Sequence, residues 1–100
     1  MTVYAITFRL EHDETWSDRY DSFMDAVRAC KTVWAETTSF CLVETDETLE
    51  ALERRLYLTQ FSTFKDTMVV IQVSYDAAVA RGKIKDKETL RNLLYGIDIK

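Results

Sequence analysis

The densest chemistry in the chain lies just after its first apolar stretch, where Glu11, His12, Asp13, Glu14 and Asp18 fall close together. Carboxylates are hard oxygen donors, and several converging on one point can hold a divalent cation; an imidazole beside them can move a proton. Adjacency in sequence does not force convergence in space, and a solvated acidic loop has the same composition, so no metal and no cofactor is assigned. Glu11 and Asp13, with Ser39, are the candidate catalytic residues. His12 is the single histidine, and no nucleophile is placed beside it by spacing. Ser39 has no histidine positioned to activate it and reads as a strand or hairpin hydroxyl. Cys30 and Cys41 lack a C-x-x-C spacing and sit among apolar residues, which suits buried, inert thiols in a reducing compartment. The two glycines, Gly82 and Gly96, cannot form a Gly-rich phosphate loop.

Charge narrows the partners. The chain carries 17 acidic and 13 basic side chains, a net charge of −4. Residues 81–100 hold six basic groups (Arg81, Lys83, Lys85, Lys87, Arg91, Lys100) against three acidic ones, which leaves residues 1–80 at −7. An acidic body opposes non-specific nucleic-acid binding, which rests on phosphate neutralisation. Within the basic tail, Lys83, Lys85, Lys87 and Arg91 are the candidate phosphate contacts. Trp16, Trp34 and Tyr4 offer ring faces on which bases stack, but the same residues build cores. The N-terminus lacks the features of a signal peptide and no run reaches a membrane span. The expected location is the cytoplasm, with no membrane partner.

These groups must be held by regular elements, and with no proline in the chain periodicity has to mark them. Residues 3–10 alternate: Tyr4, Ile6, Phe8 and Leu10 share one face, Val3, Ala5, Thr7 and Arg9 the other, the pattern of a half-buried strand. Over 18–31 the period changes to three and four, through Tyr20, Phe23, Met24, Val27 and Lys31, which predicts a helix capped by Ser17 or Asp18. Residues 32–44 are rich in β-branched and aromatic types; the polar Glu36-Thr37-Thr38 centre suggests two strands and a tight reversal, with one long bent strand as the alternative. Thr45-Asp46-Glu47 opens a second helix striped by Leu49, Leu52 and Leu56. Residues 67–75 form a last strand, with Val69, Ile71, Val73 and Tyr75 expected toward the helices and Met68, Val70, Gln72 and Ser74 away. A short tail helix spans Lys87 to Tyr95, striped by Leu90, Leu93 and Leu94, with Gly96 as its C-cap.

The order β-α-β-β-α-β predicts an α+β, ferredoxin-like sandwich over residues 1–80. Its helices cover one face of a four-stranded antiparallel sheet, and residues 81–100 form a basic tail with a short helix. The other face would carry Val3, Ala5, Thr7, Arg9, Val70 and Gln72, a mixed surface suited to pairing two copies into a homodimer.

The stretch Trp34-Ala35-Glu36-Thr37-Thr38-Ser39-Phe40-Cys41-Leu42-Val43-Glu44-Thr45-Asp46, the opening strand Tyr4–Leu10 and Asp18-Arg19-Tyr20 resemble the small bacterial SinR-like proteins. Those are similar in turn to CRISPR-associated protein 2 and the VapD-type ribonucleases. The resemblance covers roughly residues 3–75. It implies the ferredoxin-like fold and, for the CRISPR-associated members, metal-dependent phosphodiester cleavage through an aspartate ending the first strand in an aromatic-Asp-aliphatic pattern. This chain has Phe8-Arg9-Leu10, and a guanidinium cannot ligate Mg²⁺. The expected function is therefore a non-catalytic, dimeric interaction module that binds a protein or nucleic-acid partner. The rival readings are a metal-dependent ribonuclease or toxin using Glu11 and Asp13, and a phage or mobile-element inhibitor of a host protein.

Overall fold

The computed structural model describes residues 1–74 and 77–100, so the expectation for Tyr75 lies outside the described residues. Four strands, β1 (Thr2–Arg9), β2 (Thr32–Trp34), β3 (Phe40–Thr45) and β4 (Thr67–Gln72), form an antiparallel sheet in the order β2-β3-β1-β4. Helices α1 (Trp16–Arg28) and α2 (Leu49–Tyr57) follow β1 and β3. The arrangement is consistent with a ferredoxin-like α+β fold. Residues 32–45 are two strands joined at Ser39, whose φ of 54° makes the sharp reversal. A left-handed conformation is costly for a residue with a Cβ, and it holds because the Ser39 carbonyl accepts the Phe8 amide at 3.1 Å.

Local signals explain most element ends. Thr48 caps α2 by accepting the Ala51 amide, and Asp86 caps the tail helix α3 (Lys87–Leu93) by accepting that of Thr89. The cap of α1 is Thr15, not Ser17 or Asp18; its hydroxyl is engaged by Asp13 and Arg19 instead of a helix amide. Helix α3 ends at Leu94 without a left-handed glycine, and Gly82, not Gly96, has positive φ.

The first core lies between the sheet and the paired helices. Ile6, Val43, Phe23, Val27, Leu52 and Leu56 are completely buried there, and the Phe8 and Phe23 rings meet at 4.8 Å. Strand β4 enters this core through Met68 and Val70, the reverse of the expected facing. The register decides it: Phe8 stands opposite Met68 and Ile6 opposite Val70, and residues paired across antiparallel strands share a face. Val69 and Ile71 consequently lie on the outer face, each about half exposed.

That outer face has its own cover. After β4 the chain forms β5 (Val79–Ala80), α3 and β6 (Asp98–Ile99), with β5 and β6 paired in parallel. The tail structure thus begins before residue 81. Leu90 and Leu93 bury Val3, Trp34 and Leu42 in a second core, with Ala5 packed against it. This corrects the expected dimer face: Val3 is only 2% exposed and Ala5 is partly covered, Val70 belongs to the opposite core, and only Thr7, Arg9 and Gln72 of that set are exposed. The helices accordingly occupy both faces of the sheet.

The tail is pinned by one carboxylate. Glu36 accepts the backbone amides of Lys85 and Asp86 at 2.8 and 2.9 Å, and these hold its carboxyl below the ordinary range. The cover leaves an apolar cavity of about 350 Å³ lined by Trp34, Phe40, Leu42, Ile84 and Leu90 among others. The buried Trp34 indole N–H helps hold the Glu36 carboxyl down, but no hydrogen bond of good geometry joins them.

Leu93 is the test of the second core. Leu93→Ala is expected to lower unfolding stability by about 2–5 kcal/mol in urea titrations, the usual range for a buried leucine truncation. Val79→Ala, at an exposed position of the same tail, should change it far less.

Candidate functional site

The acidic loop after β1 folds into a clamp around one arginine. Arg19, on the first turns of α1, is 5% exposed. Its guanidinium donates to the Asp66 carboxylate, to the Glu11 carbonyl, to Asp13 at 2.9 Å and to the Thr15 hydroxyl at 3.0 Å. Asp66, whose side chain is fully enclosed, also accepts the amides of Glu11 and Ser62. Burial pushes the Asp66 carboxyl up, but the two amides and Arg19 outweigh it and hold it below its ordinary value. The other oxygen of Asp13 meets Lys65 at 2.7 Å. Lys65 and Arg19 together hold the Asp13 carboxyl far below the carboxylate range. Both oxygens of Asp13 are thus committed to cations, which suits a structural lock between the β1–α1 and α2–β4 connections. Glu11, Glu14 and Asp18 are exposed, and no group of three His, Cys, Asp or Glu residues converges to hold a metal among the described residues.

A second guanidinium joins the other ends of the helices. Arg55 pairs with Glu47 and donates to the Ala26 carbonyl and to Cys30 Sγ at 3.3 Å. Cys30 and Cys41 are both buried, and burial raises both thiols, Cys41 to about 11. Neither is a poised nucleophile.

The chemistry that remains accessible is a groove at the end of β1. One wall is a stripe at four-residue spacing: His12 and Trp16 stack with centroids 4.4 Å apart, and Trp16 and Tyr20 stack at 5.0 Å. The opposite wall is the β2–β3 reversal, with Thr38 and Ser39, and Phe8, Arg9 and Leu10 complete a cavity of about 270 Å³. A smaller pocket of about 120 Å³ shares Phe8, Tyr20 and Ser39 and extends toward Met24, Arg28 and Thr37. The structure therefore brings Ser39 and Trp16 together with Arg9, while Asp13 is turned into the Arg19 clamp. Sequence reasoning named Trp16 as a ring face but missed the ladder, whose signal was the four-residue spacing of His12, Trp16 and Tyr20.

The remaining candidates are elsewhere. Tyr4 and Trp34 are buried in the two cores, and the Tyr4 hydroxyl donates to the Glu47 carbonyl at 2.8 Å. Lys83, Lys85, Lys87 and Arg91 are exposed on the tail, and none of them lines the groove. No described helix is long and apolar enough to cross a membrane.

No family model, curated protein or solved structure matches the chain.

The clamp makes a pH prediction. Asp13 and Asp66 have depressed folded-state values, so their contribution to stability is present above the unfolded carboxylate value near about 4 and lost as pH falls through the folded values. Stability measured in urea should therefore decline below about pH 4 in the native chain. Arg19→Met should lower stability at neutral pH, more than Lys65→Met does, and flatten that decline. An Arg19→Met protein with an unchanged acid limb would show that the clamp does not set it.

Proposed function

We propose that the chain is a non-catalytic interaction module whose groove beside Arg9 binds a planar, anionic ligand, of which unpaired nucleotides of a single strand are the best fit. The observation that carries this reading is the His12–Trp16–Tyr20 ladder in a cavity that Arg9, Thr38 and Ser39 also line. The open face of the ring that ends the ladder takes a base without sequence preference, a guanidinium takes phosphate or stacks in turn, and the hydroxyls of Thr38 and Ser39 add hydrogen bonds. The net charge of −4 keeps the affinity modest, and Arg9 as the cation lining the cavity makes the salt dependence shallow, on the order of one released counterion.

The strand order and the helix positions support the finer assignment to a ferredoxin-like βαββαβ sandwich, the fold that the resemblance to SinR-like and CRISPR-associated protein 2-like chains implies. On that assignment Arg9 stands where a nuclease of the fold would place its metal-binding aspartate. Of the two carboxylates that could substitute, Asp13 is neutralised by Arg19 and Lys65, and Glu11 has no second and third ligand group converging with it among the described residues. Binding without cleavage follows from this arrangement.

Trp16 reports on the groove directly. In a Trp34→Phe background its fluorescence should be quenched by oligouridylate at low salt, and Trp16→Ala, which removes the ring that His12 and Tyr20 stack on, should weaken binding of a fluorescently labelled oligouridylate followed by anisotropy. Arg9→Ala should weaken it and reduce the salt dependence. Absence of any saturable quenching by single-stranded RNA or DNA would end the nucleic-acid reading.

Incubation with single- or double-stranded RNA or DNA and Mg²⁺ or Mn²⁺ should leave the strands intact. Cleavage that disappears in Glu11→Ala or Asp13→Ala would restore the ribonuclease reading.

A further inference from the structure

We infer that β4 is a self-pairing edge through which two copies of this chain join into one continuous eight-stranded sheet about a two-fold axis at Val70. This surface replaces the outer face that the tail covers, and it does not depend on what the groove binds.

Strand β4 ends the sheet order and its far edge has no strand partner among the described residues. The direction of its amides follows from the register. Tyr4 stands opposite Gln72, which sets Val3 opposite Val73, and the Val73 amide donates to the Val3 carbonyl at 2.9 Å. In an antiparallel pair the hydrogen-bonded positions alternate along each strand. Thr67, Val69 and Ile71 therefore turn their N–H and C=O groups toward β1, and Met68, Val70 and Gln72 turn theirs outward.

Those outward residues are matched to a second copy of themselves. An antiparallel pairing centred on Val70 sets Met68 opposite Gln72 of the second copy, Val70 opposite Val70, and Gln72 opposite Met68. Every outward group then meets an outward group. The same register puts Val69 opposite Ile71 of the second copy on the outer face, joining four half-exposed aliphatic side chains into one cluster.

The edge also lacks the usual defences. Residues 67–72 read Thr-Met-Val-Val-Ile-Gln, with no charge and no proline, so no like charges oppose each other across the axis. Tyr57, 46% exposed, shares a surface pocket with Met68 and extends the apolar margin on the helix side. Closing a strip of about 20 Å with these side chains removes on the order of 500 Å² from each copy, the small end of specific interfaces. A reversible dimer in the micromolar range is the expected result.

Light scattering and sedimentation of the full chain over a micromolar concentration series should show a monomer–dimer equilibrium. Two variants test the edge. Gln72→Pro removes an outward N–H while sparing the bonds to β1, and Val69→Lys with Ile71→Lys places cations opposite cations at half-exposed positions. Each should weaken the dimer at least tenfold while far-UV circular dichroism and the urea midpoint show the monomer still folded. A monomer at every concentration overturns the inference. So does a dimer that both folded variants retain, since that dimer would use another surface.

Discussion

Strand β1 is apolar on both faces over its first half and hydrogen-bonded along both edges, and this double demand organises the molecule. Tyr4, Ile6 and Phe8 require one cover, and Val3 and Ala5 require another. A sheet with helices on a single side would leave Val3, Trp34 and Leu42 in water, a loss of roughly 1.5–3 kcal/mol for each large side chain that could otherwise be buried. The chain meets the second demand with its own last residues. Helix α3 is two turns long and would be marginal alone; it persists because Leu90 and Leu93 have an apolar surface to occupy and because Glu36 and Asp86 satisfy the amides at its approach and start.

Charged groups do different work. Arg19 gathers oxygens from the β1–α1 and α2–β4 connections, and Arg55 from the β3–α2 connection and the last turn of α1, so each guanidinium fixes the relative placement of a helix and its neighbours. A buried ion pair of this sort contributes more to uniqueness than to net stability, because desolvation offsets much of the attraction. Breaking it is a different matter, since Asp66 would remain enclosed without its cation. The clamp also has a consequence at the surface: with Asp13 drawn inward to Arg19, the groove beside it is left to rings, hydroxyls and Arg9.

Much of the architecture was legible from the residues. The spacing of Phe23, Met24 and Val27 and the leucine stripe of α2 each have one period and one apolar side, and in β1 the larger side chains, Tyr4, Ile6, Phe8 and Leu10, fall on one of the two alternating sets, so element and facing follow together. The reversal within 32–44 was readable from its polar centre, although Ser39 as the left-handed residue was not, because serine carries no special preference for that conformation. The start of α1 was placed too late because Ser17 and Asp18 have capping side chains, whereas the helix begins after Thr15, whose hydroxyl is taken by Asp13 and Arg19 and caps no amide. The site was less legible than the fold: Ser39, Trp16 and Arg9 were singled out for separate reasons, and nothing in their spacing joins them.

By itself the sequence determined most local states: the four strands of the main sheet and the three helices, though not the short β5 and β6, that two helices share one core, that the thiols are buried, and that the tail has an apolar stripe to dock. The tertiary structure alone decided the facing of β4, the docking site of the tail and the fate of the acidic loop. In Thr67–Gln72 both alternating sets, Met68 with Val70 and Val69 with Ile71, are apolar, so a period of two cannot say which set turns inward. Only pairing with β1 breaks that symmetry. The tail and the loop are settled in the same way, by partners far away in sequence: Val3 and Trp34 for Leu93, and Asp66 for Arg19. Such contacts depend on which surfaces the folded sheet leaves uncovered, and no local pattern encodes that.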